Sequence, residues 1–242
     1  MLIATAALAI AVQVGAPAKA ATVELKGEPT QMAWLADGTQ LAIQTSERDD
    51  KGMIKNPRFY LLTTADNKLA TAEAWPEWAD KYWEWKKNKY APWSPTLAID
   101  VKQDQKTVSS TASPMGGALA KGGGAGDPNS GTTAAEAVQH KQNSQILNII
   151  TLTLMGETVG YFEGLQFIPG YTFGWAPKDL AAIAYVNRSG RLAVMDKDGK
   201  KQELDGTKGV LLPAWSVDGS KIAFLQKSGK SKYELYVAPV TR

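Results

Sequence analysis

Cysteine is absent from all 242 residues, which removes disulfides, thiolate metal sites, a lipid-anchored cysteine and cysteine nucleophiles together. Histidine is nearly absent: His140 is the only one, and it lies in a low-complexity stretch. No histidine cluster can therefore serve a metal-dependent lyase or glycosidase, and a positioned acid–base role for His140 is not expected. A Gly-x-Ser-x-Gly elbow is also missing, so a peptidase that joins a propeller to a hydrolase domain is not expected. Neither sign of charge dominates, with 27 Lys and Arg against 24 Asp and Glu, and the basic residues are scattered. Nucleic acid is accordingly not an expected partner. Catalytic residues, metal ligands and cofactors are all expected to be absent.

Long apolar runs are scarce too. Leu2 to Val14 is almost wholly apolar, but it falls short of the ~20 residues that a helical span needs. Gly15-Ala16-Pro17-Ala18-Lys19-Ala20 follows, and Ala18 with Ala20 fits the small-residue rule for signal peptidase. Residues 1–20 are read as a secretory signal peptide cut near Ala20, although no Lys or Arg follows Met1. A retained N-terminal anchor is the alternative. Export without disulfides fits a periplasmic or secreted bacterial protein better than a small eukaryotic secreted domain. No membrane span would remain after cleavage.

What the chain does contain is a repeated phrase. Pro213-Ala214-Trp215-Ser216-Val217-Asp218-Gly219-Ser220-Lys221-Ile222-Ala223-Phe224 is its cleanest copy. Weaker copies open at Trp34, Trp93 and Trp175. A Trp, a turn and a short apolar strand recurring along one chain mark a repeat architecture. In the last copy, Ala214–Ser216, Lys221–Leu225 and Tyr233–Val240 are predicted strands, with an Asp-Gly hairpin turn between the first two. The third copy predicts strands at 173–175, 181–186, 191–195 and 201–204. The first predicts 31–34, 40–45 and 59–64, with a charged loop over 46–58. The second, at Trp93-Ser94-Pro95, lacks the Asp-Gly and resumes only at Ile146–Leu154. Trp175 to Trp215 is a step of 40, the length of one propeller blade.

The expected fold is all-β: a β-propeller of about four blades over 21–242, closed or partial. An N-terminal segment, Val23 to Gly27, is expected as the outer strand of the C-terminal blade, sealing the ring edge. The phrase over 213–224, followed by Leu235-Tyr236-Val237, resembles the WD-like repeat of the TolB-type propeller family. The resemblance covers 213–237 strongly, 172–196 and 31–45 clearly, and 93–160 poorly. It implies a β-propeller and an exported protein that binds other proteins of the cell envelope. It carries no binding residue across, because the matching positions are structural.

Two insertions interrupt the repeat. Residues 109–144 are rich in Gly, Ser and Ala and are read as a disordered loop. Gly122–Gly126 is no phosphate loop, since the Lys-Ser/Thr ending is missing. Residues 73–90 hold Trp75, Trp78, Trp83 and Trp85, half of the eight Trp in the chain, with Tyr82 and Tyr90. Acids early, lysines late and Pro76 at the start predict a helix. Trp78, Tyr82 and Trp85 form one stripe, with Trp83 off it. The stripe reads as packing against the propeller or as a platform for a partner or glycan. The repeat-heading Trp residues read as core.

The 46–58, 73–90 and 103–145 connections are all expected on one face of the disc, where loops carry function. Candidate binding residues are Trp75, Trp78, Tyr82, Trp83 and Trp85, with Arg48 and Asp49 on a polar rim. Asp49-Asp50 alone is too sparse for calcium. The expected role is a non-enzymatic exported scaffold for protein–protein interaction in the bacterial cell envelope. The alternative is a propeller that binds or cleaves glycans with aromatic platforms and paired carboxylates. A partial propeller completed by another chain is a third reading.

Overall fold

Short Asp-Gly turns set the register of the sheets. Asp37 Oδ1 accepts the Thr39 amide at 2.9 Å while Gly38 takes φ 72°. Asp218 Oδ1 accepts the Ser220 amide at 3.0 Å, again with the following Gly219 at φ 72°. Such a side-chain acceptor followed by a left-handed glycine fixes a two-strand reversal at low strain. Asp196 repeats the device, accepting from the amides of Asp198 and Lys200.

The computed structural model describes residues 12–49, 53–86, 88–110, 143–164, 167–168 and 170–242, and in it these turns build a four-bladed β-propeller. Two strands come first, β1 (Gln13–Val14) and β2 (Ala18–Glu24). Blade 1 is the meander β3 (Glu28–Trp34), β4 (Gln40–Arg48), β5 (Ile54–Thr63) and β6 (Lys68–Ala72). Helix α1 (Glu77–Lys86) and a hairpin of β7 (Tyr90–Ala91) and β8 (Ser94–Ala98) follow. Blade 2 is β9 (Asp100–Ser110), β10 (Asn143–Leu154) and β11 (Glu157–Gly164). Blade 3 is β12 (Phe173–Trp175), β13 (Ala182–Val186), β14 (Leu192–Asp196) and β15 (Lys201–Glu203). Blade 4 is β16 (Val210–Trp215), β17 (Lys221–Lys227) and β18 (Lys232–Thr241), with β2 and β1 both paired along β18.

The ring closes through the N-terminal segment, as expected, but with a longer strand. β2 pairs antiparallel with β18 from Glu24↔Lys232 to Ala18↔Val237, and β1 adds Val14↔Val240 and Gln13↔Thr241. The propeller sheets thus begin at Gln13, ahead of the expected start at 21 and inside the residues read as a leader. A cut after Ala20 would remove β1 and the first three residues of β2.

Apolar clusters fill the spaces between blades. Met32, Trp34, Leu41, Leu212, Ala214 and Leu235 join blades 4 and 1. Leu192, Val194, Trp215, Ile222 and Phe224 join blades 3 and 4, and Ile150, Leu152, Trp175, Ile183 and Met195 join blades 2 and 3. The headings Trp34, Trp175 and Trp215 are core residues, each at most 2% exposed. Their indoles link blade to blade. Trp34 Nε1 donates to Ala214 O at 3.0 Å, and Trp215 Nε1 to Gly174 O at 3.0 Å. Gly174 permits that approach, since a Cβ there would lie 2.5 Å from Pro213 O.

Blade 2 departs from the expectation. Trp93 does not head a buried inner strand; it is half-buried and packs edge-on against Trp175 at 5.2 Å. The inner strands β3 and β12 flank β16, and α1 packs against both β3 and β12. The helix therefore stands where the innermost strand of blade 2 would run, with Ala79 and Tyr82 inside the core shared by blades 4 and 1. It does not decorate a face, because its aromatic stripe is apolar volume that the axis lacks. The 103–145 connection also differs, since β9 and β10 pair as a ribbon out to Ser110↔Asn143. Of the low-complexity segment 109–144, Ser109–Ser110 and Asn143–Ser144 are strand ends, and 111–142, with His140, lies outside the described residues.

Candidate functional site

Propeller axes are where channels and ligand sites form, so what fills this one matters. The last turn of α1 reaches the ends of two inner strands. The Tyr82 hydroxyl donates to Trp215 O at 2.5 Å, and Lys86 Nζ donates to Trp175 O at 2.6 Å. Trp175 Nε1 in turn donates to Asn88 O at 2.6 Å, just past the helix. Asn88 thus supplies the carbonyl that, at Trp34 and Trp215, comes from a neighbouring inner strand. The helix and the residue just past it do two things that a strand would do: the helix fills the volume and Asn88 accepts an indole N–H.

Lys86 is the unusual member of this group. It is 2% exposed, and its ammonium lies 3.7 Å from the Trp85 ring centre and 5.1 Å from that of Tyr82. No carboxylate among the described residues pairs with it. Burial holds it well below the ordinary lysine range, because removal from water disfavours the charged form. Burial likewise pushes the Tyr82 phenol up. A π-face and one carbonyl replace only part of the lost hydration.

The expected site residues separate into two places. Tyr82 is buried, and its ring meets Trp85 edge-on at 6.2 Å. Trp75 and Trp78 are half-buried against the same core, and Trp75 tilts onto Phe59 of β5 at 6.2 Å. Trp75 Nε1 is buried without a hydrogen-bond partner. Trp85 is half-buried beneath Lys86, and the Trp83 side chain lies outside the described residues. Tyr82, Trp78 and Trp85 thus pack inward as one stripe, the first of the two readings of its spacing, and Trp75 lies against blade 1. Lys86 was legible only as a last-turn cation suited to the helix dipole. Its spacing from Tyr82, i to i+4 on the same stripe, was the available signal of burial.

Arg48 and Asp49 sit apart, on the β4–β5 hairpin. Arg48 pairs with Glu28 at 2.6 Å, Asp49 with Lys55 at 2.7 Å, and Arg58 with Glu47 at 2.6 Å. Asp49 also accepts the Met53 amide at 2.8 Å, closing the hairpin tip. Asp50, Lys51 and Gly52 lie outside the described residues. A groove of about 760 Å³ lies between β5 and β6 of blade 1 and the chain over 24–26, lined by Lys26, Arg58, Phe59, Ala70, Ala72 and Glu73. The β4–β5 hairpin and the β9–β10 ribbon are the long strand-to-strand connections of blades 1 and 2. Met53, beside the hairpin tip, is 52% exposed, and Ile146, paired with Thr107 along the ribbon, is 56% exposed.

Among the described residues no cluster of three or more potential metal ligands occurs, and no helix is long and apolar enough to cross a membrane. No family model and no curated protein sequence matches the chain.

Proposed function

We propose that this chain is an exported, TolB-type propeller scaffold that binds another protein of the bacterial cell envelope and does not catalyse a reaction. The observation that carries this reading is the filled axis. Ala79, Tyr82 and Lys86 occupy the position where a propeller enzyme or sugar-binding propeller would keep an open, polar channel, and the aromatic stripe is spent on packing. What is left for recognition is the β4–β5 hairpin, the β9–β10 ribbon and the groove beside β6. The exposed Met53 and Ile146 stand among ion pairs, a mixture of apolar contact and polar rim that suits a protein partner.

The test compares the unaltered chain with a Met53→Glu, Ile146→Glu variant as baits in bacterial envelope extract. Both residues are exposed, so the variant should keep its melting temperature within about 2 °C, as surface substitutions do. A defined partner recovered by the unaltered chain and lost from the variant is expected. Equal recovery by both, or sugar release from a polysaccharide, removes the proposal.

A further inference from the structure

The same stretch of chain carries two signals that compete. Ala18-Lys19-Ala20 reads as a processing site, yet Ala18 and Lys19 are paired to Val237 and Tyr236 in blade 4. Ahead of them, Val14 is 5% exposed and belongs to the core cluster between blades 3 and 4. Its backbone is gripped on both sides. The Gln202 side chain on β15 accepts the Val14 amide at 2.9 Å and donates to the Val14 carbonyl at 2.6 Å. The Gly15 amide donates to Pro239 O at 2.8 Å. Lys19 pairs with Glu234 at 2.7 Å.

A chain cut after Ala20 would keep the pairs of Ala21, Thr22, Val23 and Glu24 with β18 and lose those of Gln13, Val14, Ala18 and Lys19. The β18 edge from Tyr236 to Thr241 would then be open. Gln202 would be left with a donor and an acceptor aimed at an absent backbone. A cavity of about 370 Å³, lined in part by Val194, Asp196, Lys201 and Gln202, already adjoins this seat. An open strand edge with a matched side-chain amide and an apolar socket reads backbone first and one side chain second, the logic of strand addition.

We propose that the β18 edge from Tyr236 to Thr241, together with Gln202 and the Val14 socket, is an acceptor site for an extended segment of a partner protein. The segment places a Val-sized apolar residue in the socket, and the chain's own Val12–Lys19 fills the site until processing frees it. The partner role rests on the reading of an exported, processed chain; the acceptor chemistry does not.

The probe is a fluorescein-labelled peptide of residues 12–20, titrated by anisotropy into the full chain and into its Val14→Asp variant, in which the buried carboxylate unseats the resident strand. Binding to the variant at least 10-fold tighter than to the unaltered chain is expected. A peptide carrying the same Val14→Asp change should lose at least 10-fold, as should the protein when Gln202→Ala is added. Equal, weak binding in all pairs overturns the acceptor site. If the variant does not fold, amide exchange of the unaltered chain decides. Val14 and Gly15 exchanging at least 100-fold faster than Phe224 supports a detachable strand, and exchange as slow as Phe224 overturns it. N-terminal sequencing of the protein from the envelope fraction tests the processing separately. A start at Ala21 supports the partner role, while a start at or before Val12 leaves the site permanently filled and removes that role.

Discussion

Blade 4 and blade 2 solve the same packing problem with different means. Blade 4 lines the axis with a strand whose Trp215 is fully buried, and turns on Asp218-Gly219. Among the described residues blade 2 has no such strand. It brings α1 to the axis, places Tyr82 and Lys86 against the carbonyls of Trp215 and Trp175, and offers Asn88 O to the Trp175 indole. The repeat therefore requires two things at its centre: apolar volume and one correctly placed carbonyl per indole. Strand geometry is one way to deliver both, and a short aromatic helix is another.

The largest way to separate the two blades is to delete their headings. Trp215→Ala removes a buried indole, leaves a cavity between blades 3 and 4 and orphans Gly174 O, so a loss of about 3–5 kcal/mol is expected. Trp93→Ala removes a half-buried ring at the margin of the blade 2–3 core, edge-on to Trp175, and about 1–2 kcal/mol is expected. Urea denaturation of both variants checks the pair. Equal losses would mean that Trp93 heads a working blade after all.

That asymmetry also marks how far the sequence could be read. The strands of blades 3 and 4 fall within a few residues of their expected positions, because Trp-turn-strand spacing and Asp-Gly chemistry are local. Closure by the N-terminal segment was legible because the last copy of the repeat supplies only three strands, though β2 lies earlier than 23–27 and β1 was not foreseen. The axial helix was legible as a helix and not as a plug. Periodicity identifies Trp78, Tyr82 and Trp85 as one stripe but says nothing about which cavity receives it. The ribbon strand β9 escaped notice for a related reason: Asp100–Gln105 is almost wholly polar, and its pairing to β10 is set by a distant partner.

A smaller effect per step sharpens the contrast at the axis, since blade 4 places no charge there and blade 2 places Lys86. Burial lowers the pKa of this amine in the folded state. The unfolded chain then binds more protons than the folded chain between the depressed value and the ordinary lysine value of about 10.4. Stability must rise with pH across that window. The unaltered chain should gain on Lys86→Met as pH is raised from 7 to 10, with a slope no steeper than about 1.4 kcal/mol per pH unit. Denaturant midpoints across that range measure it. Parallel curves would mean that Lys86 finds water or a counter-charge in solution.

The smallest effect belongs to the turn that blade 4 has and blade 2 lacks. Hydrogen bonds from the Ser216 hydroxyl, the Ser220 amide and the Ser220 hydroxyl hold Asp218 down to about 2. Asn187 makes the equivalent turn in blade 3, accepting the Ser189 and Arg191 amides at 3.0 Å, so Asp218→Asn should keep the turn and lose only the charge. Because the folded pKa is depressed, the stabilisation from Asp218 is complete above the unfolded aspartate value of about 3.9 and is lost as pH falls through about 2. The carboxylate is exposed and screened by solvent, which holds the expected advantage over Asn to under about 1 kcal/mol at pH 7. That advantage should vanish between about pH 4 and pH 2, as read from denaturant midpoints of the two chains. A gap that persisted at pH 2 would show that Asn fails to rebuild the turn itself.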